Sequence, residues 1–287
     1  MAHELKGQTG MVMGASGCIG SAVTRLLASE GMDLVLAGRS HAPLVRCGET
    51  LPPSVQPLIC QVDASDPNAI REVVRDVIGQ FGRLDVYIHC AGSFTAAPAD
   101  ALHAREIECL MRENVHAVLH AATAVLPIFR QQKGGHFIVV GSLAALIPMP
   151  FAAAYAAAKA AVRAFCLSLA EELRDSGVVV SLITPGPVRS PMLTRESAEE
   201  QCCATFALLP CSPEQVAGAV RHALLTAPRE IIVPRWTGPF ARLFLAWPAL
   251  EALLHPLIRI AGLRGLRRYR RSVLTQPLFD QLSGVRS

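Results

Sequence analysis

Three side chains near the middle of the sequence have the types and the spacing that proton transfer requires. Ser142 follows an apolar run, Tyr155 comes 13 residues later, and Lys159 follows Tyr155 by 4. Positions i and i+4 share one face of a helix, so Tyr155 and Lys159 are expected to project together. A free phenol titrates at about pH 10, and a neighbouring ammonium lowers that pKa. We therefore predict that Tyr155 exchanges a proton with a carbonyl or alcohol oxygen, to which Ser142 donates a hydrogen bond.

Taken singly, these residues have ordinary structural explanations. Tyr155 fits a core aromatic residue, Lys159 fits a solvated helix residue, and Ser142 fits a cap at the end of a strand. Their combination at this spacing, in a chain that also carries a glycine-rich turn, favours the chemical interpretation.

That glycine-rich turn follows the first apolar run of the chain. Gly14, Gly17 and Gly20 stand between a predicted strand and a predicted helix. In such a turn one glycine permits the bend, one lets the backbone approach a pyrophosphate, and one lets the helix pack closely on the strand. The helix N-terminus offers free N–H groups to phosphates. Glycines alone also fit a simple tight turn, but this position between strand and helix predicts a dinucleotide site.

The second predicted strand ends in Gly38, Arg39 and Ser40, with no carboxylate among them. NAD-binding folds usually carry a carboxylate here for the ribose 2′-hydroxyl. Arg39 instead suits a bidentate contact to a 2′-phosphate. The sequence therefore favours NADP(H) as the cofactor. It leaves NAD(H) as the alternative, with Arg39 then a solvated loop residue.

Asp63 follows the third predicted strand. A carboxylate at this place is able to accept a hydrogen bond from an adenine amino group. It also fits a helix cap, because Asp63 and Asp66 both precede the next helix. Both roles are open from the sequence.

The elements that must position these residues alternate along the chain. Short apolar runs are separated by longer stretches of helical spacing, which is typical of an α/β fold. Continuous apolar runs suit parallel strands buried on both faces. We predict a doubly wound parallel sheet of about seven strands, a Rossmann fold, with helices on both faces. The predicted strands are residues 11–13, 34–37, 58–62, 86–89, 137–140, 178–183 and 231–233, and helical stretches are residues 21–29, 68–81, 101–129, 153–174 and 213–225.

The alternation stops near residue 234, where the composition changes. Residues 235–271 hold eight arginines and one acidic residue, whereas residues 1–234 hold 18 basic and 21 acidic ones. We therefore predict a dinucleotide-binding and catalytic domain over residues 1–234. A basic, apolar, helical extension is predicted over residues 235–287.

Composition excludes several protein classes. Hydrophobic residues make up 51% of the 287 residues and charged residues 17%, which excludes a disordered chain. The net charge of +4 is too small to indicate nucleic-acid binding. The nine cysteines form no C-x-x-C pair and no signal-peptide pattern opens the chain. We therefore expect reduced thiols in the cytoplasm and no metal site.

The extension combines apolar residues, including both tryptophans, with a cluster of arginines. This pattern fits amphipathic helices that contact a membrane surface through residues 236–271. It fits equally well helices that pack on the catalytic domain or on a second subunit. A membrane span is disfavoured because Pro248, Pro256 and several charged residues interrupt the apolar stretch. The expected location is the cytoplasm, with membrane association as an open alternative.

Several motifs, in order and at matching spacing, resemble the short-chain dehydrogenase/reductase family over residues 6–234. The family's Tyr-x-x-x-Lys corresponds to Tyr155 and Lys159, its serine to Ser142 and its asparagine to Asn114. The resemblance implies that Tyr155 is the acid/base and that Lys159 lowers its pKa and binds the nicotinamide ribose. It further implies that Ser142 orients the substrate oxygen and that Asn114 helps to hold a water linking the lysine to solvent.

The resemblance also implies contacts to the cofactor. The family's Pro-Gly motif corresponds to Pro185 and Gly186, so the Val188 backbone and the Ser190 hydroxyl would touch the nicotinamide carboxamide and the diphosphate. Members commonly form dimers or tetramers, and a homo-oligomer is expected here. The full set of expected cofactor contacts is Gly14, Ser16, Gly17, Cys18, Ile19, Gly20, Arg39, Ser40, Asp63, Ala91, Gly92, Asn114, Tyr155, Lys159, Pro185, Gly186, Val188 and Ser190.

Two departures from the family pattern concern the cofactor side. Met13 and Cys18 replace a threonine and a glycine in the first turn, which gives G-x-x-G-x-x-G. His89 and Cys90 stand where the family has asparagines, so a local loss of stability or a compensating partner is expected. A thiol at a helix N-terminus has a lowered pKa, which suggests a redox-sensitive Cys18, although a tolerated small residue is the simpler interpretation.

The substrate side is predicted from two further segments. Residues 190–211 fit a lid over the substrate, and residues 143–151 are strongly apolar. We therefore predict a carbonyl reductase or alcohol dehydrogenase, preferring NADP(H), for an apolar or lipid-like small molecule. The alternative is a catalytically silent nucleotide-binding scaffold or sensor of the same fold.

Overall fold

Seven parallel strands form the centre of the molecule. The computed structural model describes residues 5–274, and the predicted domains' outer ends, residues 1–4 and 275–287, lie outside the described residues. The strands are β1 (Thr9–Met13), β2 (Asp33–Gly38), β3 (Leu58–Gln61), β4 (Val86–His89), β5 (Gly135–Val140), β6 (Val178–Pro185) and β7 (Glu230–Val233). Their order is β3-β2-β1-β4-β5-β6-β7, and neighbouring strands are parallel. The predicted doubly wound sheet is confirmed, and each predicted strand overlaps an observed one.

Helices cover both faces of this sheet. In the described part of the chain they are α1 (Cys18–Ser29), α2 (His41–Glu49), α3 (Pro67–Phe81), α4 (Ala104–Met111), α5 (Ala117–Gln132), α6 (Ala153–Glu172), α7 (Pro191–Glu196), α8 (Pro213–Thr226), α9 (Thr237–Ala246) and α10 (Pro248–Leu274). A π-helical turn, Arg112–His116, joins α4 to α5 without a break, so the helical stretch predicted over residues 101–129 is confirmed from residue 104 onward and contains a π-helical turn. The sequence analysis missed α2 and α7, which are too short to show a clear apolar period.

Alternating strand residues fill two apolar cores. On one face, Met11, Tyr87 and Phe137 pack with residues of α3, α5 and α6, and the Tyr87 and Phe137 rings stack with centroids 5.1 Å apart. On the other face, Val12 and Ile138 pack with residues of α1 and α8. The strand order reverses between β1 and β4, which opens a crevice at the carboxyl ends of these strands.

The helices α9 and α10, which we call the C-terminal wall, pack beside this crevice. The inner face of α10 lies on a 3-10 helix, Glu200–Ala207. Gly262 and Gly265 make this approach close, because a methyl group at either position would overlap the carbonyl oxygen of Cys203 or Phe206. The helix backbone therefore sits directly on the backbone of its partner.

Hydrogen bonds also attach α10 to the segment after β6. The Arg270 guanidinium donates to the carbonyl oxygens of Ser197 and Ala198, at 2.7 and 3.1 Å. The hydroxyls of Tyr269 and Thr194 are 3.2 Å apart. The described part of the predicted extension thus packs on the body, and the division of the chain at residue 234 stays a prediction.

One helix of the described residues, α6, is long and apolar enough to cross a membrane. Its residues Ala158, Val162 and Cys166 are buried in the core against the sheet. Core helices of globular proteins have the same length and composition, so α6 is assigned to the core.

Candidate active site

The glycine-rich turn lies between β1 and α1, at the sheet edge where the strand order reverses. Gly14 has a φ of +81°, and a Cβ there would lie 2.8 Å from the Ala91 nitrogen. A methyl group at Gly20 would overlap the Gly14 carbonyl oxygen. Gly17 begins α1 without a side-chain cap, so no side chain competes for the first N–H groups of the helix. The glycines let the backbone approach a ligand closely, and the N-terminus of α1 has no side-chain cap. Both features suit the binding of a dinucleotide phosphate.

Among the other expected contacts of this turn, Ser16 is exposed and Ile19 is half-buried. The Cys18 thiol donates to the carbonyl oxygen of Arg189 at 3.2 Å. Burial and the charge of Glu214 raise the pKa of Cys18 above its ordinary value. The suggestion of a reactive, low-pKa thiol is therefore wrong, because burial outweighs the effect of the helix N-terminus.

Arg39 and Ser40 follow β2, where α2 begins. The Arg39 side chain is 63% exposed, and its guanidinium forms an ion pair with Glu113 at 2.6 Å. Ser40 precedes α2 and is exposed. Arg39 thus lies where the sequence placed it, but it faces a carboxylate that the sequence analysis did not connect with it.

For Asp63, the sequence left open a contact to adenine and a cap of the next helix. Asp66 caps α3 by accepting hydrogen bonds from the Asn68 and Ala69 nitrogens. Asp63 accepts from the nitrogen and hydroxyl of Ser65, at 2.9 and 2.8 Å. Burial works against its charged form, but these hydrogen bonds and nearby Arg39 lower the pKa of Asp63 overall. Asp63 is therefore not the cap of α3.

Ser142, Tyr155 and Lys159 come together at the carboxyl end of β5. Ser142 follows β5, and its hydroxyl accepts from the Ala144 nitrogen at 3.1 Å. Tyr155 and Lys159 lie in the first turns of α6, and the Lys159 Nζ is 5.7 Å from the centre of the Tyr155 ring. The Phe94 ring packs edge-on against Tyr155 with centroids 5.0 Å apart. Lys159 is buried.

Burial sets the protonation of this pair. It raises the pKa of Tyr155 to about 12, although the Ser142 hydroxyl acts in the lowering direction. Burial also lowers the pKa of Lys159 to about 8. The expected lowering of the Tyr155 pKa is therefore not produced by the protein's own groups, since a dry site disfavours phenolate and ammonium alike.

Asn114 lies in the π-helical turn beside Lys159. Its Nδ2 donates to the carbonyl oxygens of Ser93 and Leu110, each at 3.0 Å. Its Oδ1 is buried and has no hydrogen-bond partner among the described residues. A Cβ at Gly92 would lie 2.8 Å from that oxygen and 3.3 Å from the Lys159 Nζ. The asparagine oxygen and the lysine nitrogen thus face the same small glycine.

His89, which stands where the family has an asparagine, contacts a nearby polar side chain. The His89 Nδ1 is 2.9 Å from the Tyr87 hydroxyl, inside the core. Burial lowers the pKa of His89 to about 3, so the imidazole is neutral. The other ring nitrogen, Nε2, is buried without a hydrogen-bond partner among the described residues. Cys90 borders the cavity described below.

Pro185 ends β6, and the Gly186 nitrogen donates to the Val233 carbonyl oxygen at 2.8 Å. The Ser190 hydroxyl donates to the Val188 carbonyl oxygen at 3.0 Å and accepts from the Leu193 nitrogen at 3.2 Å. Ser190 therefore caps α7, and any cofactor contact would use the remaining capacity of its hydroxyl.

A cavity of about 610 Å³ joins these parts. Its wall includes the turn Gly17–Gly20, the candidate proton-transfer residues Ser142 and Tyr155, and the apolar neighbours Leu143 and Ala144. The C-terminal wall, together with Trp236 directly before it, closes the far side with side chains that the sequence analysis did not assign to the site. They are Trp236, Thr237, Phe240, Phe244, His255 and Ile258.

Glu196, at the end of α7, is a buried acid in this cavity that the sequence analysis missed. The Thr205 hydroxyl donates to its Oε1. Burial raises the pKa of Glu196 to about 7. Its charge is in turn one of the causes that raise the pKa of Tyr155, so the two groups interact across the cavity.

Sequence comparison places this site in a known family. The short chain dehydrogenase family profile matches residues 8–201. A protein of Listeria monocytogenes, named an uncharacterized oxidoreductase, is 30% identical over 242 residues, covering 82% of this chain and 97% of that protein. An uncharacterized oxidoreductase of Staphylococcus epidermidis is 30% identical over 189 residues, covering 66% of this chain and 81% of that protein.

Solved structures share the fold. A short-chain dehydrogenase/reductase from Burkholderia phymatum, in complex with NAD, superposes with a TM-score of 0.79 at 22% identity, covering 86% of this chain and 96% of its own. Levodione reductase superposes with a TM-score of 0.74 at 21% identity, covering 79% of this chain and 96% of its own. The chain therefore belongs to the short-chain dehydrogenase/reductase family, and it is an NAD(P)-dependent oxidoreductase that acts on CH–OH or C=O groups.

Proposed function

We propose that the protein reduces apolar carbonyl compounds, or oxidises the corresponding secondary alcohols, with NADP(H). The observation that carries this proposal is the shared cavity. Ser142 and Tyr155 lie in the wall of the same largely apolar space that borders the turn Gly17–Gly20. A substrate held there lies against the proton-transfer residues and the nucleotide turn together.

The residues of the sheet edge would hold the cofactor. The N–H groups at the start of α1 would bind its phosphates, and Lys159 would bind the nicotinamide ribose. When bound, the nicotinamide supplies or accepts the hydride. The groups that surround it restrict water in the cavity, because Tyr155 and Phe94 pack together and the C-terminal wall covers the outer side.

Tyr155 is the proposed acid in the direction of reduction. With a pKa of about 12 its phenol is protonated at neutral pH, so it donates to the substrate carbonyl oxygen. The Ser142 hydroxyl is placed at the end of β5 to donate a second hydrogen bond to that oxygen. Two donors stabilise the negative charge that develops on the oxygen during reduction. In the reverse direction Tyr155 first passes its proton to the Lys159 side, and the resulting phenolate accepts the proton of the alcohol.

Lys159 and Asn114 are the proposed route by which Tyr155 regains its proton. The Lys159 pKa of about 8 lets the amine lose and regain a proton near neutral pH. The unpartnered Asn114 Oδ1 beside Gly92 offers an acceptor on the lysine side of the tyrosine. Asn114 therefore acts on the relay rather than on the substrate.

Turnover tests this function directly. The purified full-length chain is given NADPH with a panel of aliphatic and cyclic ketones, and NADPH consumption is measured. Reduction of apolar ketones in preference to small polar ones supports the proposal. Binding of NADPH without turnover of any ketone, or of any secondary alcohol with NADP⁺, would contradict it and favour a silent nucleotide-binding scaffold.

Arg39 is the proposed reason for an NADP(H) preference. Its exposed guanidinium at the end of β2 can exchange Glu113 for a 2′-phosphate. We expect Arg39→Ala to weaken NADPH binding about 10- to 100-fold and NADH binding little, because one charge-assisted bidentate contact is lost. Glu113→Gln should strengthen NADPH binding, since it removes the competing carboxylate. Arg46→Ala, on the exposed face of α2, is the matched control.

The outer face of α10 supports contact with an anionic membrane surface. Leu253, Leu257 and Ile260 are spaced i, i+4 and i+7 and are 74%, 63% and 48% exposed. Helical periodicity continues this face into exposed Arg264 and Arg267. Apolar residues followed by arginines on one helix face suit acyl chains and acidic headgroups respectively. We therefore propose a cytoplasmic enzyme that docks on lipid through this face and takes an apolar substrate from it.

Vesicle binding tests the docking face. We expect the chain to sediment with vesicles of phosphatidylcholine and phosphatidylserine but weakly with phosphatidylcholine alone. Replacing Arg264, Arg267 and Arg268 by Gln should lower the partition about 100-fold, at roughly 1 kcal/mol per arginine. Leu253→Ser with Leu257→Ser should also abolish it. No vesicle binding, together with a dimer that these serine variants dissociate, would assign the face to a homo-oligomer instead.

A further inference from the structure

Glu196 is a buried residue in the wall of the reaction cavity, and one of its carboxyl oxygens has no hydrogen-bond partner among the described residues. Its side chain lines the cavity, and the residue is 7% exposed. The Thr205 hydroxyl donates to Oε1, while Oε2 bonds to no residue of the described chain. Oε2 is not one of the fully buried atoms that lack a partner, so it keeps some contact with the cavity and has the capacity to bind a polar group there.

The rest of the cavity wall makes this carboxyl distinctive. Among the described residues that line the cavity, Glu196 is the only acid, and none is a lysine or arginine. Two other polar side chains of the lining are engaged locally, because Ser190 caps α7 and Thr237 donates to the Pro234 carbonyl oxygen. Ser142 and Tyr155 serve the reacting oxygen in the proposed function. Glu196 therefore offers the acidic site in this cavity for a second polar group of the substrate.

We propose that Glu196 binds a hydroxyl group of the substrate, distinct from the reacting oxygen. The preferred substrate is then an apolar ketone, or the matching alcohol, that carries an additional hydroxyl. This inference rests on the proposed function, because it assumes that the substrate occupies the cavity with its carbonyl at Tyr155.

A hydroxyl suits this carboxyl better than an ammonium does. With a pKa of about 7, Glu196 is present as acid and as carboxylate near neutral pH. A hydroxyl donates to the carboxylate and accepts from the acid, whereas an ammonium only donates.

Ligand affinity tests the inference without requiring turnover. The chain has two tryptophans, so Trp247→Phe leaves Trp236, in the cavity wall, as the reporter. Binding of decan-2-one and of its mono-hydroxylated derivatives, hydroxyl on carbons 5 to 10, is measured by Trp236 fluorescence in the presence of NADP⁺, which cannot reduce a ketone. The ratio of the two affinities isolates the hydroxyl contact from the apolar contacts.

We expect at least one hydroxylated isomer to bind about 10- to 100-fold more tightly than decan-2-one. Glu196→Ala should bring that ratio close to 1, and Glu196→Gln, whose amide also donates and accepts, should retain part of it. Thr205→Val is the matched control, because it removes the internal hydrogen bond and leaves the carboxyl. It should keep the preference.

Two results would overturn the inference. One is the absence of a preferred isomer when decan-2-one itself binds. The other is an equal loss for both ligands in Glu196→Ala, which would mean that Glu196 only supports the Thr205 segment. Turnover of the same ligands is recorded separately: a hydroxyl preference in binding without reduction would contradict the proposed function but not the role of Glu196.

Discussion

The two sides of the cavity are built in different ways. The reaction side, Ser142 with α6, belongs to the central sheet and its core. Arg163 of α6 forms a bidentate ion pair with Glu230 of β7, at 2.9 and 3.0 Å, and Thr184 of β6 donates to the same carboxylate. Strands that are far apart in sequence therefore hold the tyrosine and lysine in place.

The C-terminal wall is held mostly by one long helix lying on a short one. Its attachment uses two glycines, a ring contact between Phe206 and Tyr269 at 5.2 Å, and the Arg270 hydrogen bonds. Its outer face remains apolar and exposed. Under the proposed function, the fold would fix the chemistry, whereas the choice of substrate would depend on a wall that can change without disturbing the sheet.

The largest expected effect on kcat comes from replacing a tyrosine by phenylalanine on the reaction side of the cavity. The same replacement on the C-terminal wall should have little effect. Tyr155→Phe should lower kcat for ketone reduction about 1,000-fold, because general acid catalysis typically contributes 10²–10⁴. Tyr269→Phe on the C-terminal wall removes one hydroxyl contact with Thr194 and should change kcat less than about 3-fold. Both variants should bind NADPH normally. Steady-state kinetics and cofactor titration measure these outcomes, and a near-normal kcat for Tyr155→Phe would break the comparison.

The second prediction concerns a substitution that moves the C-terminal wall and leaves the sheet in place. Gly265→Ala places a methyl against the Phe206 carbonyl oxygen, so α10 must move away, at a cost of about 2 to 3 kcal/mol. We expect KM for an apolar ketone to rise about 10-fold or more, with NADPH affinity unchanged.

Gly218→Ala is the control for this change. A Cβ at Gly218 in α8 meets nothing within 4 Å, so the substitution should stabilise the helix by about 0.5 to 1 kcal/mol. Thermal unfolding and ketone kinetics distinguish the pair. A normal KM in Gly265→Ala would show that the C-terminal wall does not shape the substrate site.

The smallest expected effect concerns pH and lies where the two sides meet. The folded-state pKa of Glu196 is about 7, above its ordinary 4.5, so the folded protein binds more protons than the unfolded chain between these values. The free energy of unfolding should therefore fall by about 2 kcal/mol from pH 5 to pH 7 because of this group. Denaturant unfolding of Glu196→Gln should lack that component, and identical pH dependence in both proteins would contradict the burial of the carboxyl.

Sequence reasoning reached the reaction side because its signals are local. Apolar runs marked the strands, and the spacing of Tyr155 and Lys159 on one helix indicated their shared face. The ion pair of Arg39 with Glu113 joins residues 74 positions apart, so no local pattern contains it.

The substrate side was less predictable because its properties arise on docking. Glu196 lies within the polar stretch 194–201 and resembles a solvated residue until α10 packs on that segment. The raised Cys18 pKa likewise reflects burial that the helix N-terminus alone does not indicate. The apolar extension was recognised, but its contribution to the cavity depends on contacts across the chain.

The π-helical turn at Arg112–His116 has a consequence for which changes Asn114, the proposed relay residue, can tolerate. One extra residue in the turn shifts the angular phase of α5 relative to α4, so the two helices present their apolar stripes independently. Deleting a single residue there would restore a continuous α-helix, but it would rotate Asn114 by about 100° relative to one of its flanking helices. The position of Asn114 thus depends on the number of residues in the turn. A deletion in this turn should therefore be tolerated less well than a substitution.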